Sequence, residues 1–131
     1  MTSEYKILKG ECLCGQVSWE LSGPYEFFGM CQCSRCRKVT GAAFATNLFV
    51  KANQFKWLKG KDKVDEYVME APNTFGNAFC KKCGSRAPRF SPARGWMMAP
   101  LGSTMETPEI KPTLVCAKDH TDWFQKLEEI I

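Results

Sequence analysis

Histidine is almost missing from this chain: His120 stands alone beside eight cysteines. Chemistry that depends on dedicated histidine bases is therefore poorly provided for. Long apolar runs are missing too. The longest lies around Trp96–Leu101, far short of a membrane span. The first residues, Met1-Thr2-Ser3-Glu4-Tyr5-Lys6, place no apolar core behind a basic start. No secretory leader is expected from them, and a cytoplasmic, thiol-reducing location is the expectation. Linkers, low-complexity tracts and clear tandem repeats are absent, and helix signals are scarce. What is present is ordinary: 131 residues, 44% hydrophobic and 24% charged, which excludes intrinsic disorder and fits one domain over residues 1–131.

Glycine and proline recur at short intervals, as many short strands require. Residues 16–21 alternate, with Val17, Trp19 and Leu21 apolar, and predict a half-buried strand ended by Ser22-Gly23-Pro24. Further strands are expected at residues 43–50, 54–58, 64–69, 95–101 and 110–116, and residues 74–79 lead into a loop at Cys80. Gly60-Lys61-Asp62-Lys63 reads as a solvated turn. Ser34 to Val39 predicts one helical turn. Thr121 or Asp122 is expected to cap a short C-terminal helix that packs Trp123, Phe124, Leu127 and Ile130 onto the body. The fold class is therefore mainly β with a short C-terminal helix. Trp96 and Phe44 are the aromatics expected as pocket walls.

Seven of the eight cysteines fall into three tight groups: Cys12 and Cys14; Cys31, Cys33 and Cys36; Cys80 and Cys83. In a reducing compartment such spacing points to a tetrahedral metal rather than to disulfides. Cys12 and Cys14 are two residues apart, so an extended chain puts both thiols on one face. Cys80-Lys81-Lys82-Cys83-Gly84 is a knuckle whose glycine tolerates positive φ. Each pair is followed by glycine and supplies two ligands, so together they form a candidate four-cysteine structural zinc site. Spacing leaves other pairings open, including the first two groups sharing one ion. Cys31, Cys33 and Cys36 offer three thiols in six residues and leave a fourth position for water or substrate, as a catalytic zinc does. Cys116 or His120 would close that site. Cys116 follows Leu114-Val115 and is expected as a buried small hydrophobe, while His120 is expected in a solvated turn beside Lys118 and Asp119. Seven thiolates and two Zn2+ together lower the formal charge of +4 to about +1. Nucleic acid is accordingly not expected as a partner.

The order Cys12-x-Cys14-Gly15, Cys31-x-Cys33-Ser34-x-Cys36-Arg37, Gly41, Phe79-Cys80-x-x-Cys83-Gly84 resembles the glutathione-dependent formaldehyde-activating enzyme family, itself related to centromere protein V. Cys33 to Phe44 carries its usual wording. Gly95-Trp96, Leu101-Gly102-Ser103, Lys111-Pro112 and Trp123-Phe124 also match, so the resemblance covers roughly residues 9–125. The last strand departs from it, with Val115-Cys116 where members often carry His-Ile. The resemblance implies short antiparallel sheets leaning together as a tent, related to zinc ribbons. It implies one structural zinc on Cys12, Cys14, Cys80 and Cys83 and a second on Cys31, Cys33 and Cys36. The implied activity is that of a carbon–sulfur lyase, S-(hydroxymethyl)glutathione synthesis from glutathione and formaldehyde.

A thiol reaching the open zinc position would be deprotonated by the cation and could then attack an aldehyde. Arg35, Arg37 and Lys38 flank the zinc loop and are candidates to hold a substrate carboxylate. The competing expectation is a non-catalytic zinc module that binds a protein partner, with a closed second site. A third is a redox or metal-handling protein that uses Cys31, Cys33 and Cys36 directly.

Overall fold

The structure, a computed structural model, describes residues 5–70 and 75–131. Three small sheets build it. The first pairs β1 (Ile7–Glu11), β2 (Ser18–Ser22) and β5 (Phe55–Lys59) in the order β1-β2-β5. The second holds β3 (Phe27–Cys31), β4 (Ala45–Val50), β9 (Arg89–Ser91), β10 (Trp96–Pro100) and β11 (Thr113–Val115) in the order β11-β3-β4-β10-β9. The third is β6 (Val64–Val68), β7 (Gly76–Cys80) and β8 (Arg86–Ala87), in chain order. Helix is confined to α1 (Ser34–Thr40), α2 (Phe124–Glu128) and single 3-10 turns. The chain is mainly β, built of short antiparallel pairs. One pair departs from that expectation: β11 runs parallel to β3, with Val115 opposite Cys31.

The alternation at residues 16–21 does what its period demands. Val17, Trp19 and Leu21 are buried, and β2 sits between two antiparallel neighbours. The expected strands at residues 43–50, 54–58, 64–69, 95–101 and 110–116 correspond to β4, β5, β6, β10 and β11, and a 3-10 turn (Lys61–Lys63) fills the expected turn. The strand before Cys80 is β7; residue 74, where that reading began, lies outside the described residues.

The apolar interior has two parts. The larger gathers Leu8, Val17, Trp19, Leu21, Phe28, Leu48, Val50 and Met97, and includes Cys12 and Cys80. The smaller consists of Cys31, Cys33, Cys36 and Ala45, with Phe75 and Val115 packed against it. Cys31, Cys33 and Cys36 are all buried in the smaller part, whereas the other group lies at the edge of the larger one, with Cys12 and Cys80 buried, Cys83 partly buried and Cys14 exposed.

The C-terminal helix is shorter than expected and its cap differs. Trp123 is the N-cap residue and no side chain caps the helix; the Phe124 N–H bonds to the Thr121 carbonyl instead. Five residues make too few turns to align four apolar positions on one face. Phe124 packs edge-on against Phe44, while Trp123 is 47% exposed and Ile130 78% exposed. Among the described residues no helix is long and apolar enough to cross a membrane.

Candidate metal centres and the cavity beside them

Two turns of the same design bring Cys12, Cys14, Cys80 and Cys83 together. In the first, Gly15 N–H bonds to Cys12 O at 3.0 Å and Cys12 N–H to Val17 O at 3.0 Å. In the second, Gly84 N–H bonds to Cys80 O at 2.8 Å and Cys80 N–H to Ser85 O at 2.9 Å. Both glycines are left-handed, with φ of 78° at Gly15 and 77° at Gly84. An L side chain would be strained there, which is why each turn carries its trailing glycine.

The four Sγ atoms lie within 4.8 Å of one another. Cys12 and Cys14 Sγ are 3.6 Å apart, and Cys14 and Cys80 Sγ 3.8 Å. Two sulfurs about 2.3 Å from a tetrahedral ion are about 3.8 Å apart, so the group fits zinc. Ser85 ties the two turns together: its Oγ accepts the Leu13 N–H at 2.9 Å and lies 3.2 Å from Cys83 Sγ. Hydrogen bonding to the Ser85 side chain and backbone brings the Cys83 thiol down to about 5. Cys12 Sγ accepts the Val17 N–H at 3.3 Å.

The second group lies on the β3–α1 connection. Cys31 ends β3, Cys33 is the N-cap of α1, and Cys36 falls in its first turn. Their sulfurs also lie within 4.8 Å of one another, and all three residues are buried. Cys33 Sγ accepts the Cys36 N–H at 3.3 Å, so the thiol serves as helix cap as well as candidate ligand. Burial drives the Cys31 and Cys36 thiols up. Burial opposes the Cys33 thiolate too, but the Cys36 N–H and the neighbouring thiols outweigh it and leave Cys33 below its ordinary value. Among the described residues no further cysteine, histidine or carboxylate joins this group.

Cys116 corrects an expectation. It is exposed rather than buried, lies just past β11, and adopts φ 56° at the start of a 3-10 turn. The chain leaves the sheet there, so its side chain is turned away from the core. It lines a cavity with the second cysteine group but is outside the convergent set. His120 is exposed, with Nδ1 2.8 Å from the Thr121 carbonyl, and joins neither group.

The cavity has a volume of about 290 Å3 and opens beside Cys31, Cys33 and Cys36. Its aromatic walls are Phe27, Phe49 and Phe75 rather than the expected Trp96 and Phe44. Trp96 packs at a tilt against Phe49, and Phe44 packs against Phe124. Of the cations expected here, only Arg35 lines the cavity, over the Phe75 ring at 5.5 Å. Arg37 instead donates to Gln32 O at 3.0 Å, bracing the loop, and Lys38 is exposed outside the cavity.

Three lining arginines and an asparagine were not singled out by sequence reading: Arg86, Arg89, Arg94 and Asn47. Asn47 Nδ2 lies 3.9 Å from Cys36 Sγ, and its Oδ1 accepts from Arg86 Nη1 at 2.7 Å. Arg86 Nε donates to Asn77 Oδ1 at 3.0 Å. Burial lowers the Arg86 pKa, and the sulfurs of Cys36, Cys31 and Cys33 work against that shift. The available signal was local composition: residues 85–95 (SRAPRFSPARG) hold three arginines and no acidic residue.

A crystal structure of a Rhodobacter sphaeroides protein, a structural genomics target, is similar over 79% of this chain and 97% of its own, with a TM-score of 0.59 and 21% identity. That likeness is one of fold. No match was found among curated proteins. The profile described as glutathione-dependent formaldehyde-activating enzyme matches residues 7–120, a span that takes in both cysteine groups and every strand. The chain belongs to the glutathione-dependent formaldehyde-activating enzyme family.

Proposed function

We propose that this protein is a zinc-dependent carbon–sulfur lyase joining a small thiol, such as glutathione, to an aldehyde, such as formaldehyde. In this reading it carries two zinc ions in a reducing, cytoplasmic setting. Cys12, Cys14, Cys80 and Cys83 hold the structural ion; Cys31, Cys33 and Cys36 hold the one that serves catalysis. One observation carries the reading: three buried, convergent thiols face a cavity, and no fourth protein ligand joins them among the described residues.

Cys31, Cys33 and Cys36 would hold the zinc ion, which would supply a lowered pKa to a substrate thiol and little electrophilic power beyond that, because three thiolates would already donate much charge to it. The chain does the rest. Asn47 presents its amide to Cys36 Sγ and fixes that sulfur. Arg86, one hydrogen bond further out, offsets the negative charge of the cysteine sulfurs and of a substrate thiolate beside them. The phenylalanine walls exclude water around the aldehyde. The substrate sulfur bonds to the carbonyl carbon, the π pair moves to oxygen, and the proton given up by the thiol ends there. Nothing leaves, so no dedicated histidine is needed.

The reaction also proceeds unaided, so the test scores rate above an enzyme-free blank. Fresh reduced protein is expected to hold about two zinc equivalents, and Cys33→Ser is expected to lose one ion and all rate above the blank. A variant that keeps the rate would overturn the assignment. Loss of the second metal in Cys116→Ser would instead mean a site closed by protein, and the zinc-module reading would replace the enzyme.

A further inference from the structure

Among the described residues four guanidinium groups line the cavity, Arg35, Arg86, Arg89 and Arg94, and no lining residue is acidic. They come from different parts of the chain: α1, β8, β9 and the turn between β9 and β10. Elsewhere charges of both signs mix, as at Lys61, Asp62 and Lys63, so convergence of one sign from four segments is a local property of this space. The groups are also held in place. Arg94 lies over the Phe49 ring at 4.9 Å and the Phe27 ring at 6.0 Å, Arg35 lies over Phe75, and Asn47 and Asn77 grip Arg86.

Aromatic faces and amides orient a guanidinium without neutralising it. Arg89 alone of the four has a carboxylate partner among the described residues, Glu66 at 3.0 Å. Three cations therefore surround a space of about 290 Å3, and a ligand ammonium entering it meets no carboxylate among the described lining residues. Glutathione carries such an ammonium beside its two carboxylates.

We propose that the ligand of this cavity is a small thiol bearing two carboxylates and no amino group. The proposal rests on the thiol–aldehyde reading of the same cavity and narrows its thiol to a class that leaves glutathione out. The sulfur lies toward Cys31, Cys33 and Cys36, and the carboxylates lie toward Arg94 and Arg35. Arg86 faces the sulfur end, separated from Cys36 only by the Asn47 amide.

The test uses full-length protein loaded with cobalt(II), whose sulfur charge-transfer bands report a new thiol ligand. The probes are mercaptosuccinate, 3-mercaptopropionate, 2-mercaptoethanol, thiocholine and glutathione; succinate is titrated separately by calorimetry. Mercaptosuccinate is expected to bind tightest, by at least about tenfold over both 2-mercaptoethanol and glutathione, the factor one charge-assisted guanidinium–carboxylate pair supports. Arg94→Gln, in an exposed turn, should collapse the ratio of mercaptosuccinate to 2-mercaptoethanol affinity toward unity, with Arg35→Gln as the second variant. A flat ranking, or glutathione or thiocholine binding tightest, overturns the proposal and leaves the thiol reading standing. Succinate binding that Arg94→Gln abolishes, with no thiol altering the cobalt bands, upholds the dianion site and overturns the thiol reading. Binding of neither succinate nor any thiol overturns both.

Discussion

At the scale of single residues, Ser85 and Cys116 carry opposite lessons. Ser85 accepts from one cysteine turn and touches the sulfur of the other, and it brings the Cys83 thiol down to about 5. Protons compete with a metal for thiolates, so a low thiol pKa defers metal loss to lower pH. Ser85→Ala raises that pKa, and protonation then wins earlier on the way down. The pH of half-release from the four-cysteine group is expected to move up and metal affinity to fall by about tenfold, the usual scale for a partner behind a ligand. Chelator-monitored zinc release across pH checks it. Cys116 is exposed in a turn, so Cys116→Ser is expected to keep both metals and change stability by no more than about 0.5 kcal/mol in a denaturant melt. Nothing in the sequence distinguished its place from that of a core thiol. Its apolar neighbours suggested a strand interior, but the strand stops one residue earlier. Arg86 and Asn47 were equally hidden, because their roles arise only where β8 meets β4 across two sheets.

At the scale of elements, strands whose inward positions carry large apolar side chains were legible, as in β2. β1 was not, although its burial alternates in the same way. Its inward residues are Leu8 and Gly10, and Gly10 is small because the Trp19 indole occupies the space: a Cβ there would fall 2.6 Å from it. Hydropathy reads such a strand as polar. β3 was obscured for a different reason, since buried residues fall on both its faces and alternation disappears. The helix α1 was visible, but the capping role of Cys33 was not. That role makes a prediction. Serine caps a helix well, so Cys33→Ser is expected to keep α1 and the fold while losing the second metal. Cys80→Ser removes a fully buried candidate ligand that joins β7 to the Cys12 turn, and is expected to cost several kcal/mol, set against the gross folding energy on the order of 10 kcal/mol that a structural zinc supplies. Thermal melts paired with zinc content separate the two; equal loss of folding would end the division of roles.

At the scale of the whole molecule, two small cores share one chain; one contains Cys12 and Cys80 of the first cysteine group and the other contains all three of the second. Stripping both metals from the wild-type protein with a chelator is therefore expected to lower Tm by at least about 10 °C, since each kcal/mol is worth a few degrees at this size. A scanning melt with and without chelator checks it. The grouping of the cysteines was legible because the thiols that converge are also close in sequence, on short loops. The two-core arrangement was not, since it follows from how three sheets meet. The parallel pairing of β11 with β3 carries a further consequence. Only three residues form it, two of them exposed, and it ends with the Gln32 N–H on Val115 O at 2.9 Å, inside the three-cysteine loop. A pairing this short opens at little cost, and amide protons near it should exchange with solvent well before those of β2 or β4. Mild denaturant would then peel the C-terminal strand from its neighbour while the body stays folded, and the loop would lose its brace in that step. An ion held by Cys31, Cys33 and Cys36 would then be released at denaturant concentrations that leave the Cys12, Cys14, Cys80 and Cys83 group assembled, and zinc content followed alongside the exchange experiment checks that order.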